Sequence, residues 1–163
     1  MADISITSYY EKDHDRLDGL FKAYQTLKRT DFDKAKPNFR DFKFGLQRHI
    51  IWEEEILFPL FEEKTGMRNG GPTEVMRMEH REIGAILEAI HEKVKARDPE
   101  SDSDEQKLLT VLGNHNMKEE NILYPAIDRS INDNERKAVF KKMEELPPER
   151  YAQCCGGHEA VHG

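Results

Sequence analysis

Apolar residues recur at three- and four-residue intervals in four long stretches, the spacing that gathers them on one face of a helix. Tyr10, Leu17, Phe21, Tyr24 and Leu27 mark the first stretch, and Phe42, Leu46, Ile56 and Leu60 the second. Met76, Ile83, Leu87, Ile90 and Val94 mark the third, and Leu108, Leu112, Ile122 and Ala126 the fourth. Ser8-x-x-Glu11 and Ser103-x-x-Gln106 read as capping boxes for the first and fourth helices. Pro37 and Pro72 fit the first turns of the second and third. Pro59 and Pro125 each remove a backbone donor, so a kink or a helix end is expected at both. Asn132-x-x-Glu135 opens a short fifth helix, and Pro147-Pro148 stops it. No stretch alternates convincingly with period two. The pattern predicts an all-α chain: an up-down-up-down four-helix bundle over residues 1–146, the fifth helix included, then a flexible tail over 147–163.

Six polar residues interrupt these apolar stripes, and they repeat. An offset of 66 residues carries His14 onto His80, His49 onto His115 and Glu53 onto Glu119. It also carries Ile56-Leu57-Phe58-Pro59 onto Ile122-Leu123-Tyr124-Pro125. In a helix, residues four apart share a face, so each His-x-x-x-Glu sends an imidazole and a carboxylate the same way. Buried without a partner, such groups cost several kcal/mol each in lost hydration. Imidazole suits iron, zinc and copper, and a carboxylate can bridge two cations. The set His14, His49, Glu53, His80, His115 and Glu119 is therefore read as a site for two metal ions. Iron is the first choice, with manganese and zinc as alternatives, and positions are left open for water, dioxygen or another small ligand. The competing reading is a hydrogen-bonded polar core in a duplicated helical pair.

Other residues are read more plainly. His91 is too far along its helix, about 16 Å from His80, to join the site. Glu54, Glu55 and Glu120 rotate away from the bridging glutamates and read as solvated surface. Trp52, Phe58 and Tyr124 read as packing, as does Tyr10, although it could reach a metal ligand. Asp18 is a candidate partner for a ligand histidine.

The chain has 163 residues, 35% of them charged, and a net charge of −7. That balance argues against nucleic acid and anionic membrane surfaces as partners. No apolar run approaches a membrane span, and the N-terminus lacks the pattern of a secretory signal. The two cysteines, Cys154 and Cys155, make no disulfide framework, and a reducing cytoplasm is expected. With His158 and His162 they form a tail that could bind metal transiently or respond to oxidants.

The constellation from Ser8 to Arg129 resembles the hemerythrin-like (HHE cation-binding) domain family. The resemblance implies a four-helix bundle around a non-haem di-iron centre with an oxo- or hydroxo-type bridge. His14 and His49 would bind one iron, His80 and His115 the other, and Glu53 and Glu119 would bridge them. Oxygen-carrying members have His-x-x-x-His on the third helix, where this chain has Gly84 four residues after His80. Their fourth helix ends in an aspartate with one more residue of spacing, in place of Glu119. The four-histidine, two-glutamate set looks closer to di-iron proteins of iron–sulfur cluster repair and to iron- or oxygen-sensing relatives. The Cys-bearing N-terminal domain typical of the repair proteins is not seen in this sequence. Ferritin-like proteins pair Glu-x-x-His at spacing three, which this chain does not. The expected function is binding of dioxygen, nitric oxide or peroxide in sensing, storage or oxidative and nitrosative stress defence. The alternatives are a di-iron oxidase, peroxidase or nitric-oxide reductase, and an iron donor to iron–sulfur proteins. A redox or iron–sulfur protein partner goes with these.

Overall fold

The computed structural model describes residues 4–152. Helix α1 (Ile6–Leu27) starts one turn earlier than its Ser8 signal, because Ser5 is the cap and accepts from the Ser8 amide. A distant residue completes that cap. The amides of Ile6 and Thr7 donate to the Asp128 carboxylate at 2.9 and 3.1 Å, and the Thr7 hydroxyl donates at 2.7 Å. A carboxylate there satisfies free amides and suits the positive end of the helix dipole. Asp128→Ala should cost about 1–2 kcal/mol, read as a fall of a few degrees in Tm. An unchanged Tm would show that the contact is dispensable.

Helix α2 (Phe32–Trp52) also starts early, at the Asp31 cap, which leaves Pro37 inside the helix. It runs into a π turn (Glu53–Leu57) and on through α3 (Phe58–Thr65), which ends at Gly66 with φ 75°. Helix α4 (Pro72–Lys95) opens on Pro72 as expected. Helix α5 (Asp102–Lys118) begins after Ser101, not Ser103, and passes through a second π turn (Glu119–Leu123) into α6 (Tyr124–Ser130). Helix α7 (Asp133–Glu145) carries the expected capping box of Asn132 and Glu135. No strand occurs among the described residues.

The two π turns correct the expected break at Pro59 and Pro125. The Phe58 amide bonds back to the Glu53 carbonyl, and the Tyr124 amide to that of Glu119. Each proline then falls in the first turn of the next α segment, where its missing donor costs nothing. The wider turn holds one extra residue, so the inward face shifts by one beyond it. Leu57, Phe58 and Phe61 are buried in one half, and Leu123, Tyr124 and Ile127 in the other. Ile122, expected in the core, is 63% exposed, and Leu60 and Ala126 are only half-buried.

Helix α1 packs along α2 and α4 along α5; the halves meet where α2 touches α4 and where α6 touches α1 and α3. Two apolar clusters result. One holds Tyr10, Trp52, Leu57, Phe58 and Tyr124, the other Leu17, Phe21, Phe42, Ile83 and Leu112. His14 lies in sequence between Tyr10 of the first and Leu17 of the second, so the polar residues occupy a layer between apolar ones. Near the far end of the second cluster, Lys28, the residue that caps the end of α1, is buried and donates to Glu105 of α5 at 2.7 Å. Residues placed in the tail by the sequence partly join the body. A 3-10 turn (Pro148–Ala152) packs on α2, and the Trp52 indole donates to the buried Tyr151 hydroxyl at 2.7 Å. Cys154, Cys155, His158 and His162 lie outside the described residues.

Candidate metal centre

The duplicated sequence becomes a duplicated site. His14 comes from α1, His49 from α2, His80 from α4 and His115 from α5, while Glu53 and Glu119 open the two π turns. All six are buried. Donor atoms of Glu53, His80, His115 and Glu119 converge within 4.8 Å of one another, and those of His14, His49 and Glu119 form a second such group. Each glutamate spans the two halves. Glu53 lies 3.7 Å from His49 Nε2 and 3.1 Å from His80 Nε2. Glu119 lies 3.3 Å from His14 Nε2 and 3.2 Å from His115 Nε2.

Each of these four histidines is gripped from behind through Nδ1. His49 bonds Asp13 at 2.8 Å and His115 bonds Glu79 at 2.9 Å, each within its own half. His14 bonds Glu120 at 2.8 Å and His80 bonds Glu54 at 2.6 Å, each across the halves. A proton on Nδ1 fixes the ring and aims the Nε2 lone pair inward, the arrangement that supports a metal-bound imidazole. These four carboxylates repeat at the same offset of 66, Asp13 with Glu79 and Glu54 with Glu120. That was the available signal. Glu54 and Glu120 are therefore not the free surface they were expected to be, whereas Glu55 does face outward and pairs with Arg150. Asp18 leaves His14 to Glu120, and burial raises its carboxyl. His91 is a buried histidine bonded to Glu88 at 3.4 Å and stacked on Phe39.

The charges are poised for a cation. Four Nε2 atoms and two carboxylates face one another, and lone pairs at such distances repel unless a proton or a cation lies between them. Glu53 Oε1 and both Glu119 oxygens find no hydrogen-bond donor among the described residues. Burial, then the facing Glu119, pushes the Glu53 carboxyl up to about 7. Burial also disfavours a charged Glu119, but His115 beside it holds that carboxyl well below the usual range. Burial pulls His14 and His80 down. Contacts with Glu119 overcome this at His14 and raise it to about 9, and those with Glu53 and Glu54 raise His80 to about 10. Shifts in these directions let protons offset the charge in the metal-free chain, and the donor set suits one or two divalent or trivalent ions in their stead. Glu54→Ala should weaken metal binding about 10–100-fold by freeing the His80 ring. Competition with a chelator measures this, and an unchanged affinity would deny Glu54 its orienting role.

One residue read as packing reaches the centre. The Tyr124 hydroxyl donates to Glu53 Oε2 at 2.6 Å and lies 3.1 Å from His49 Nε2. The extra residue of the π turn aims it inward. Tyr10 instead packs, its ring 5.0 Å from that of His49. Gly84 is buried on α4, four residues beyond His80.

The protein-family model described as the Hemerythrin HHE cation binding domain matches residues 5–127. Among curated proteins, the chain is 32% identical over 91 residues to the iron-sulfur cluster repair protein YtfE of Edwardsiella ictaluri (strain 93-146). That match covers 52% of this chain and 41% of the relative. Proteins of the same name from Enterobacter sp. (strain 638) and Escherichia coli (strain K12 / DH10B) are 28% and 27% identical over 140 residues. Those matches cover 77% of this chain and 64% of each relative. The chain thus spans between 41% and 64% of the length of these relatives. No solved structure matches.

Proposed function

The chain belongs to the hemerythrin HHE cation-binding domain family, and on that premise we propose that it is a non-haem di-iron protein. His14 and His49 would hold one iron and His80 and His115 the other, with Glu53 and Glu119 bridging and an oxo or hydroxo group between. The carrying observation is that four imidazole Nε2 atoms face two buried glutamates, each of which spans both halves. The four long helical rods, α1, α2–α3, α4 and α5–α6, would run up-down-up-down around this layer. Iron there would supply reversible electron transfer and Lewis acidity. The chain supplies the rest. Asp13, Glu54, Glu79 and Glu120 hold the rings, and the apolar clusters on either side keep bulk water out.

Among the roles open to such a centre, we place iron donation in iron–sulfur cluster repair first, because the curated relatives carry that name. A cleft of about 680 Å³ between α1 and α5 favours it too. Asp15, Asp18, Asn116 and Glu120 line the cleft, and Glu120 also holds His14, so cation exchange has an acidic approach to one side of the centre. The second reading is binding or reduction of dioxygen, nitric oxide or peroxide, favoured by Gly84, which leaves His80 without a second histidine one turn on. No helix among the described residues is long and apolar enough to cross a membrane, and the proposal includes a cytoplasmic setting.

The test loads the protein with iron, reduces it without air, and follows it by stopped flow against oxygen and against an apo iron–sulfur protein. Transfer of iron to the acceptor supports donation. A stable, reversible visible band without iron loss supports ligand binding instead. A chain that takes up no iron sinks both.

A further inference from the structure

Within the centre the offset of 66 carries Phe58 onto Tyr124, so the repeat gains a hydroxyl on one side. The two rings hold matching places. Phe58 stacks on His80 with centroids 5.9 Å apart, and Tyr124 lies 5.9 Å from His14. Tyr124 adds one oxygen to an otherwise repeated pattern. That oxygen lies 2.6 Å from Glu53 Oε2, 3.1 Å from His49 Nε2 and 3.4 Å from His14 Nε2. It falls on the side where the smaller group of donor atoms converges. Four His and Glu side chains converge around His80 and His115, but three around His14 and His49. Tyr124 is fully buried, and Tyr10 packs against it at 5.1 Å, so the hydroxyl cannot turn out to water.

We propose that the Tyr124 phenol oxygen is a further protein donor at the His14/His49 position, beside the two histidines and the bridging glutamates, which makes the two metal positions chemically unequal. This rests on the di-iron reading above. The ligand class is a hard trivalent cation, ferric iron in particular, which prefers anionic oxygen to a further nitrogen. On coordination the phenolic O–H bond gives way to a metal–oxygen bond, and the proton leaves to solvent among those that metal binding releases. The His80/His115 position faces the Phe58 ring and gains no such oxygen. The ferric state is therefore favoured on one side, which sets which iron is held more firmly and which is given up first.

The experiment uses the full chain, wild type and Tyr124→Phe, loaded with ferric iron. Iron per chain is measured by elemental analysis, and the visible absorption and resonance Raman spectra are recorded on the same samples. The wild type should bind two irons and show a phenolate-to-iron charge-transfer band with tyrosine ring vibrations. Ring-deuterated tyrosine should shift those vibrations, which assigns the band to a tyrosine, and among the described residues only Tyr124 sets a tyrosine hydroxyl against Glu53, His49 and His14. Tyr124→Phe should lose the band and hold one iron at least about tenfold more weakly. Two irons without a phenolate band, or a band that survives in Tyr124→Phe, would overturn the proposal and leave the di-iron reading standing. A wild type that binds no iron would overturn both.

Discussion

Glu119→Ala should strip the chain of at least one iron and weaken the other by more than the roughly 10–100-fold that a supporting carboxylate is worth. Glu119 is the one side chain that belongs to both converging groups of donors among the described residues. Removing it takes an anionic oxygen from each position at once. Elemental analysis after loading reads the result, and two firmly held irons in the variant would exclude Glu119 as a bridge. The same substitution should change the response of the metal-free protein to pH. His14 and His80 are raised to about 9 and about 10 in the folded chain, from an ordinary value of 6.5. A raised histidine contributes stability that is complete below the unfolded value and is lost as pH climbs through the folded one. Metal-free wild type should therefore weaken steadily from about pH 7 to 10. Glu119→Ala should flatten that slope, because Glu119 is the main group raising His14. Iron-loaded protein should lack it, since coordinated imidazoles are already neutral. Denaturant midpoints across that range, with and without iron, give the answer.

Away from the centre, Glu105→Ala should be the most damaging single change. Glu105 is buried and accepts from Lys28 Nζ at 2.7 Å, from Gln25 at 3.1 Å and from the Ser101 hydroxyl. Its loss would leave the buried Lys28 ammonium to Asp102, a residue with a largely exposed side chain. Breaking a buried pair in this way costs about 3–5 kcal/mol, or on the order of 10 °C in Tm for a chain of this size. Removing both charges should do far less harm, because two apolar side chains avoid the cost of desolvating the ions. Lys28→Met with Glu105→Leu should thus recover most of the loss. Denaturant unfolding of the two variants checks this. A cost below about 1 kcal/mol for Glu105→Ala would mean that water reaches the pair.

The six side chains that converge in the core were legible because two signals coincide at each. They sit on apolar stripes, where an unpartnered ion is costly, and they recur at one offset. Helix count, the Pro72 start and the Asn132 cap were legible for the same local reasons. The carboxylates behind the histidines recur at that offset too, yet Glu54 and Glu120 were read as solvent-facing, and Asp13 and Glu79 were not singled out. A glutamate beside a ligand turns about 100° away on its own helix, and only the neighbouring helix reveals that it meets a ring nitrogen. Glu54 meets His80 of α4, and Glu120 meets His14 of α1.

What the sequence determined by itself is the inventory: which side chains cannot face water alone, and that they come in two matching sets. What needed the tertiary structure is the phase and the pairing. A straight α-helix would have sent Ile122 inward; the π turn sends Leu123 and Tyr124 instead, and so brings a phenol to the centre. That extra residue is tolerated because the helix must accommodate Pro125 while Glu119 stays turned toward the centre. Nothing within one helix alone encodes such a compromise. It is decided by the neighbours against which the helix packs.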